Sequence, residues 1–366
     1  LLGGLAMFLY GIEVMGDGLK NSSGAALKKV LEKVTGNVLV GVLTGTLVTA
    51  VIQSSTATIV LTVALIGAGV LSLRQAVSIV LGANIGTTIT AQITAFNLSA
   101  YAPMILFVGA FMYLFLKKDM LKYVGSVIMG FGMLFEGIAL MKTAIAPLAE
   151  TEAFISMISA LENPFLTLIF GVLFTALLQS SSSATVIFQA FAVQGIISYE
   201  TSVYLVIGAA IGSVTPNILA SLTMNRNGKR TALLNLLFNL IRAAILMILI
   251  FIFPQILTVI KSLSPGNVAR QIANTHTIFA IFAVLVMLPF SDFIVKLTQK
   301  LLPLKPEESR TGEERKLLYM TQTGTIPSAV ALSQAHREII RMGEIASRNL
   351  KTAVRCFFDQ DDSLPE

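Results

Sequence analysis

Two short polar stretches interrupt an otherwise apolar chain. Gln53–Thr58 reads Gln-Ser-Ser-Thr-Ala-Thr, and Gln179–Thr185 reads Gln-Ser-Ser-Ser-Ser-Ala-Thr, each directly before an apolar run. Hydroxyls and free N–H groups at a helix start can hold an oxyanion. The same hydroxyls, together with free carbonyls, can coordinate a hard cation. A structural role, in which Ser and Thr only cap or join helices, explains one such stretch more easily than two.

Two further interruptions, Gly82–Thr90 and Gly208–Asn217, lie inside apolar runs. Glycine and proline there often mark only packing or kinks. Interruptions at matching positions of two halves nevertheless point to a transport site. The polar side chains that could serve it are Asn84, Thr87, Ser213 and Asn217.

Arg242 carries the one charge that lies well inside a predicted span. Asn235, Asn239 and Arg242 are spaced i, i+4 and i+7, so they share one helix face. A charge at that depth indicates function. It either attracts an anion or pairs with a neighbouring group, and the sequence leaves both interpretations open.

The polar stretches belong to an internal duplication. Gln53–Ser55 recurs as Gln179–Ser181, and Gly82–Thr87 recurs as Gly208–Ser213, both shifted by 126 residues. Self-similar halves are the usual architecture of secondary transporters. We assign residues 1–126 and 127–253 to the two repeats, 254–302 to an additional span, and 303–366 to a cytoplasmic linker and helix.

Helices of two kinds must position these residues. The apolar arms beside each Gln-Ser-Ser stretch, 37–52 with 59–71 and 164–178 with 186–197, are shorter than the ~20 residues that a span needs. One helix over 37–71 would measure about 52 Å, too long for a ~30 Å bilayer core. Each pair of arms therefore predicts a re-entrant hairpin with the polar stretch at its tip. Full crossings are predicted at 2–19, 76–94, 101–116, 123–141, 201–222, 231–253 and 274–290.

The distribution of basic residues tests this topology. Three crossings per repeat is an odd number, so the second repeat should be inverted. The positive-inside rule makes the more basic side cytoplasmic, so we expect a multi-pass protein of the cell (inner) membrane with a cytoplasmic C-terminus. One side holds Lys20, Lys28, Lys29, Lys33, Arg74, Lys117, Lys118, Lys122, Arg226, Lys229 and Arg230, and the other only Lys142, Lys261 and Arg270.

The predicted fold class is an all-α membrane protein. It has two inverted-topology repeats, each with a re-entrant helical hairpin and a broken helix, plus a short soluble C-terminal helix. From Ser328 the tail shows a near-heptad stripe, which needs a partner: either further helices of a longer chain or another subunit in a homo-oligomer. The stripe consists of Leu332, Ala335, Ile339, Met342, Ala346, Asn349, Ala353 and Phe357.

Composition argues against several other classes. The chain is 55% hydrophobic and 13% charged, whereas a soluble domain carries about 25% charge. The net charge of +6 comes without a basic patch interleaved with aromatics, so we expect no nucleic-acid binding. One cysteine, Cys356, allows neither an intrachain disulfide nor a Cys/His metal cluster. His276 and His336 lack a nucleophile–base arrangement, and we expect neither enzymatic activity nor a cofactor.

On these residues the chain resembles the type II sodium–phosphate cotransporter family, in its bacterial branch, over about residues 1–290. The paired Gln-Ser-Ser-Ser motif of that family matches fully at Gln179–Ser182 and departs at Thr56. The family's Gly-Ser/Ala-Asn-Ile-Gly-Thr stretch matches Gly82–Thr87, whereas the second copy carries Ala210 in place of the asparagine. The tail from Pro327 resembles the opening helix of a PhoU-like domain.

The resemblance implies that inorganic phosphate and sodium bind where the two motifs meet. Because no Lys or carboxylate cluster lies near the tips, neutral hydroxyls and helix-end N–H groups must make most of the contacts, with the two glutamines ordering the tips. The expected phosphate site comprises Gln53, Ser54, Ser55, Thr56, Gln179, Ser180, Ser181, Ser182 and Arg242. The expected sodium ligands are Thr58, Asn84, Thr87, Ser183, Thr185, Ser213 and Asn217.

These expectations favour a symporter in the lipid bilayer, in which sodium, as the coupling ion, moves inward and drives phosphate uptake by alternating access. Two alternatives stay open. One is a membrane sensor that binds phosphate and signals through the tail. The other is a symporter of a different small anion.

Overall fold

The computed structural model describes residues 2–32, 37–67, 71–96, 98–145, 151, 161–222, 226–303 and 328–359. All regular elements in these ranges are helices. The chain divides into two compact units, Leu1–Leu302 and Pro303–Glu366. The predicted linker after Pro303 lies outside the described residues, as do the side chains of Lys28, Lys29, Lys33 and Lys142 in the charge count.

The first half of the larger unit contains a long helix, a hairpin, a broken helix and a last helix. They are α1 (Leu2–Glu32), α2 (Val38–Ile52), α3 (Ser55–Gly67), α4 (Leu73–Gly86), α5 (Thr88–Thr94) and α6 (Ala102–Phe115). The second half repeats this order with α7 (Asp119–Ile145), α8 (Pro164–Leu178), α9 (Ser181–Val193), α10 (Tyr199–Gly212), α11 (Thr215–Ser221) and α12 (Arg226–Ile252). The additional segment forms α13 (Gln255–Ser262), α14 (Val268–Met287) and α15 (Ser291–Leu301), and the smaller unit contributes α16 (Ser328–Asp359).

Six described helical segments are long and apolar enough to cross a membrane, and they coincide with six of the seven predicted spans. The predicted span at 101–116 is α6, which has only 14 residues and is shorter than a typical span. The structure thus confirms the all-α membrane class. It also confirms the broken helices, which are interrupted at Thr87 and at Ser213–Val214.

The hairpins are present, but their second arms begin earlier than predicted. Helix α3 begins at Ser55 and α9 at Ser181, rather than at 59 and 186. The hydroxyl oxygens of Ser54 and Ser180 accept the backbone N–H of the residue three positions later, each at 3.2 Å. This capping extends the helix back into the motif, so only two motif residues in each half lie between the arms.

The two hairpins pack on the two broken helices through equivalent contacts. A Cβ atom added at Gly45 of α2 would overlap the carbonyl oxygen of Ile79 in α4. One added at Gly171 of α8 would meet the corresponding oxygen of Leu205 in α10. Both pairs differ by 126 residues, so the duplication is visible in the packing as well as in the sequence.

Helices α1 and α7, which begin the two repeats, run antiparallel. Gly4 approaches Gly137, and Gly11 approaches Gly130, through backbone-to-backbone contacts that a Cβ atom would disturb. Equivalent helices that cross in opposite directions are what an inverted repeat requires. The inverted orientation of the complete repeats in a membrane stays a prediction.

Candidate functional site

Both hairpin tips use the same unusual backbone. Gln53 and Gln179 have φ values of 58° and 57°, and among the described residues they are the only non-glycine positions with positive φ. Each ends the first arm of its hairpin and donates its N–H to a threonine carbonyl, Thr49 at 2.8 Å and Thr175 at 2.7 Å. A non-glycine residue in the left-handed region is uncommon and strained, and such residues cluster at functional sites. The turn brings the serines of the next arm to the end of the hairpin.

A small polar cavity lies where the two tips meet the two broken helices. Its volume is about 10 Å³, which is enough for roughly one water molecule. No Asp, Glu or Lys is among the described residues that line it. Those residues are Ser55 and Ser181 from the tips, Asn84, Thr87, Ala210 and Ser213 from the broken helices, Asn235 and Arg242 from α12, and His276 from α14.

The hydroxyl groups of the cavity fall into two kinds. Thr87 and Ser213 are repeat equivalents whose hydroxyls each donate to a carbonyl of their own helix at 2.9 Å. Their oxygen lone pairs remain available, so they act as acceptors. Ser55 and Ser181, also equivalents, make no side-chain hydrogen bond within the described part of the chain, so their hydroxyls are free to donate.

Arg242 brings a positive charge to this neutral setting. Its side chain is only 3% exposed, its Nε atom has no partner, and it forms no ion pair with any described residue. The predicted helix face is present, since Asn239 donates its amide to the carbonyl oxygen of Asn235 at 2.9 Å. An unpaired buried charge is costly. The pairing interpretation therefore finds no protein partner among the residues described, and an anion in the cavity would supply one.

Asn84 presents an acceptor as well. Its amide nitrogen donates to the carbonyl of Val80 at 2.9 Å and approaches Oδ1 of Asn235 at 3.5 Å. Its own Oδ1 is therefore left to accept a hydrogen bond or bind a cation. The equivalent position in the second half, Ala210, has no such group.

Two residues of the cavity were missed as site residues by the sequence analysis. Asn235 was recognised only as sharing a face with Arg242, and His276 was considered only for catalysis. His276 is 3% exposed, and its Nδ1 atom has no hydrogen-bond partner among the described residues. A histidine within an apolar span was the available signal, but nothing in its spacing links α14 to the tips.

The remaining predicted site residues do not line the cavity. Gln53 accepts a hydrogen bond from Thr90 at 2.7 Å, and Thr58 accepts one from Thr49 at 3.0 Å, so both support the first hairpin. Thr185 and Asn217 keep buried oxygens without a described partner. The complete set outside the cavity is Gln53, Ser54, Thr56, Thr58, Gln179, Ser180, Ser182, Ser183, Thr185 and Asn217.

A second, larger cavity of about 330 Å³ lies beside the ends of α5 and α9 and the start of α14. Gln189 closes one wall by donating to the carbonyl oxygens of Ala91 at 3.1 Å and Ala269 at 2.8 Å. It also accepts the hydroxyl of Thr94 at 2.9 Å. No predicted site residue lines this cavity.

Both halves of the chain are similar to known proteins. A family model described as "Na+/Pi-cotransporter" matches residues 7–143 and again residues 137–288. Two consecutive matches to one model agree with the duplication found in the sequence and in the packing. No solved structure matches the chain.

Several curated relatives are similar to this chain over most of its length. "Putative inorganic phosphate export protein YjbB" of Salmonella typhimurium is 29% identical over 345 residues, 94% of this chain and 62% of the relative. The protein of the same name from Escherichia coli K12 gives the same figures. "Uncharacterized protein YqeW" of Bacillus subtilis is 25% identical over 303 residues, 82% of this chain and 97% of the relative. The chain therefore spans just under two thirds of the length of the first two relatives.

Proposed function

We propose that this chain, which belongs to the Na+/Pi-cotransporter family, carries inorganic phosphate across a membrane with sodium as the coupling ion. The observation that carries the proposal is the guanidinium of Arg242, which forms no ion pair with any described residue and lies in a cavity that both hairpin tips line. The names of the Salmonella and E. coli relatives support phosphate as the substrate.

Phosphate has suitable donors in the cavity. Ser55 and Ser181 offer free hydroxyls from opposite tips, and Arg242 offers N–H groups in the fork geometry that fits an oxyanion. Such charge-assisted hydrogen bonds are stronger than neutral ones. We place the anion between these three side chains. Ser54, Thr56, Ser180 and Ser182 shape the tips around it.

Sodium has suitable acceptors in the same cavity. Thr87, Ser213 and Asn84 each retain an oxygen whose lone pairs are not used by the protein, and neutral oxygens are the ligands that hard cations accept. The buried oxygens of Thr185 and Asn217 supply candidate positions for a further ion. An anion and a cation held so close offset each other's charge, so each should raise the affinity for the other by the same factor.

Transport requires the cavity to change shape. Its volume suits about one water molecule, so the tips must separate to admit phosphate. Two hairpins from inverted repeats could do so alternately toward the two sides, as in other transporters built from such repeats. Moving negative phosphate inward against an inside-negative membrane potential costs about 2.3 kcal/mol per charge per 100 mV. Sodium ions that move inward with it cancel that cost.

We place the tail and the loop of Lys117 and Lys118 on the cytoplasmic side of the cell membrane, on the strength of the charge asymmetry. In the smaller unit, Ile339 and Met342 of the heptad stripe are exposed on α16. Their exposure supports a partner for that helix, for which another subunit is one candidate.

Export is the second candidate function, because two relatives are named as putative phosphate export proteins. The same site serves both directions, since the sodium and phosphate gradients together decide net flux. We favour uptake because an inward sodium gradient drives it.

The deciding experiment is uptake of radiolabelled phosphate by proteoliposomes with an inward gradient of sodium or of choline. We expect accumulation only with sodium, and phosphate counterflow when sodium is present on both sides. Equal uptake in choline would remove sodium coupling, whereas absence of counterflow would leave a binding protein or sensor.

A further inference from the structure

When phosphate and sodium are placed in the small cavity as proposed, almost every polar side chain that lines it has a partner. The acceptor oxygens of Thr87, Ser213 and Asn84 face sodium in the proposed function. Oδ1 of Asn235 already accepts from Asn239 at 3.2 Å. The hydroxyls of Ser55 and Ser181 and the guanidinium of Arg242 donate to the anion. Among the described lining residues this leaves His276 without an assigned role.

His276 is built into the site rather than onto the surface. It is 3% exposed on α14 and lines the cavity with Arg242. Its Nδ1 atom is buried and has no hydrogen-bond partner in the part of the chain that the structure describes. A second buried positive charge beside the guanidinium would be costly. A neutral imidazole has one N–H donor and one nitrogen lone pair, and that lone pair is a stronger acceptor than a serine hydroxyl.

We propose that His276 accepts the hydroxyl hydrogen of protonated phosphate and thereby makes the site selective for phosphate over sulfate. This inference rests on the proposed function and adds a specificity-determining residue to it. Inorganic phosphate keeps at least one P–OH group at neutral pH, whereas sulfate has none. Sulfate would therefore leave the imidazole lone pair unpaired and pointed at an anionic oxygen.

The expected discrimination follows from the value of one hydrogen bond to a charged group. Losing such a bond in a buried site weakens binding roughly ten- to a hundred-fold. Sites that hydrogen-bond a substrate hydroxyl reject analogues without it because their own buried group then stays unpaired. Arsenate, which also keeps a hydroxyl, should behave like phosphate.

The first test uses the unmodified chain and changes only the ligand. Calorimetry in sodium should show that monofluorophosphate, a dianion with fluorine in place of the hydroxyl, binds roughly ten- to a hundred-fold more weakly than phosphate. Sulfate should be at least as weak. Equal affinity for phosphate and monofluorophosphate overturns the role of His276, whereas no binding of phosphate at all overturns the proposed function instead.

The second test removes the imidazole. In His276→Phe the preference for phosphate over monofluorophosphate and sulfate should fall by the same factor, while His276→Gln, which keeps an acceptor, should retain part of it. His336→Phe changes the other histidine, which lies on the tail helix, and should leave the preference unchanged. If His276→Phe is not folded, His276→Leu takes its place. An unchanged preference in the folded variant assigns the discrimination elsewhere and refutes the proposal.

Discussion

The two hairpin tips have the same backbone conformation but differ in the side chains that support it. Both first arms end at a left-handed glutamine with nearly the same φ, and both second arms begin at a serine of the motif. Yet Gln53 is tied to Thr90 by a hydrogen bond, whereas the residue 126 positions after Thr90 is Pro216 and Gln179 is exposed. The tip geometry therefore does not depend on one particular side-chain support.

A second difference lies within the hairpins. In the first, the hydroxyls of Thr49 and Thr58 are 3.0 Å apart and bonded. In the second, the residue 126 positions after Thr58 is Ala184, which has no hydroxyl, and the hydroxyl of Thr175 is buried without a described partner. The duplication kept the backbone that places one serine of each tip at the cavity. It let the surrounding side chains diverge, so the site is symmetric in its hydroxyls and asymmetric in everything else.

The largest expected effect is a difference in the side of the membrane from which equivalent positions of the two repeats can be labelled, which tests whether the repeats are inverted. Arg74 and Glu200 are equivalent positions with opposite charge, both exposed and each in an ion pair, with Asp292 and Lys261 respectively. With Cys356 replaced by serine, single cysteines at 74 and 200 should react with an impermeant thiol reagent from opposite sides of the membrane. Labelling from one side only would mean that the repeats are parallel.

Arg242→Gln should show the next largest effect, because no described residue of the first repeat supplies a second charge to the cavity. Losing the buried cation should weaken phosphate binding by about 2–5 kcal/mol, roughly thirty-fold or more. Folding should persist, since an unpaired buried charge does not stabilise the apo protein. Calorimetry and thermal melting separate the two roles, with the exposed Arg74→Gln as control. Normal binding by a stable Arg242→Gln protein would exclude the residue from the site.

Ser55→Ala and Ser181→Ala should have moderate and similar effects, because both serines line the cavity from equivalent positions. Each loss of a hydrogen bond to the anion should weaken phosphate binding roughly ten- to a hundred-fold. Ser54→Ala should mainly cost stability, by about 1 kcal/mol, because Ser54 caps α3. A loss of binding confined to one tip would show that the anion contacts only that hairpin.

The smallest effect on phosphate binding is expected for the two glutamines, which lie outside the cavity, so their replacement should change stability instead. Glycine tolerates positive φ, so Gln179→Gly should raise the free energy of unfolding by up to about 1 kcal/mol. Gln53→Gly should lower it instead, because it leaves the hydroxyl of Thr90 without a partner, at a cost of about 1–3 kcal/mol. Thermal melting of both variants in detergent measures the difference. Identical shifts would show that the Gln53–Thr90 bond does not support the tip.

Hydrophobic run lengths and repeated motifs were enough to predict six long apolar spans, the hairpins and the broken helices. Arms of 12–16 residues cannot cross a bilayer, and Gly82 and Gly208 allow the broken helices to approach the hairpins closely. The beginnings of α3 and α9 were misplaced, because a serine cap draws the helix into a polar stretch that reads as a loop. The alignment of Ser55 with Ser181 followed from the 126-residue shift alone.

Sequence by itself therefore determined the class of the protein and its duplication, and it predicted the kind of chemistry at the tips, because these depend on local composition and period. Only the tertiary structure decided which hydroxyls reach the cavity. It showed that Gln179 stays outside. It also showed that Asn235 of α12 and His276 of α14 line the cavity beside Arg242, the one residue of these two helices that the sequence had predicted for the site. Neither helix carries a copy of the repeated motifs. Their position beside the tips follows from long-range packing, which no pattern along the chain predicts.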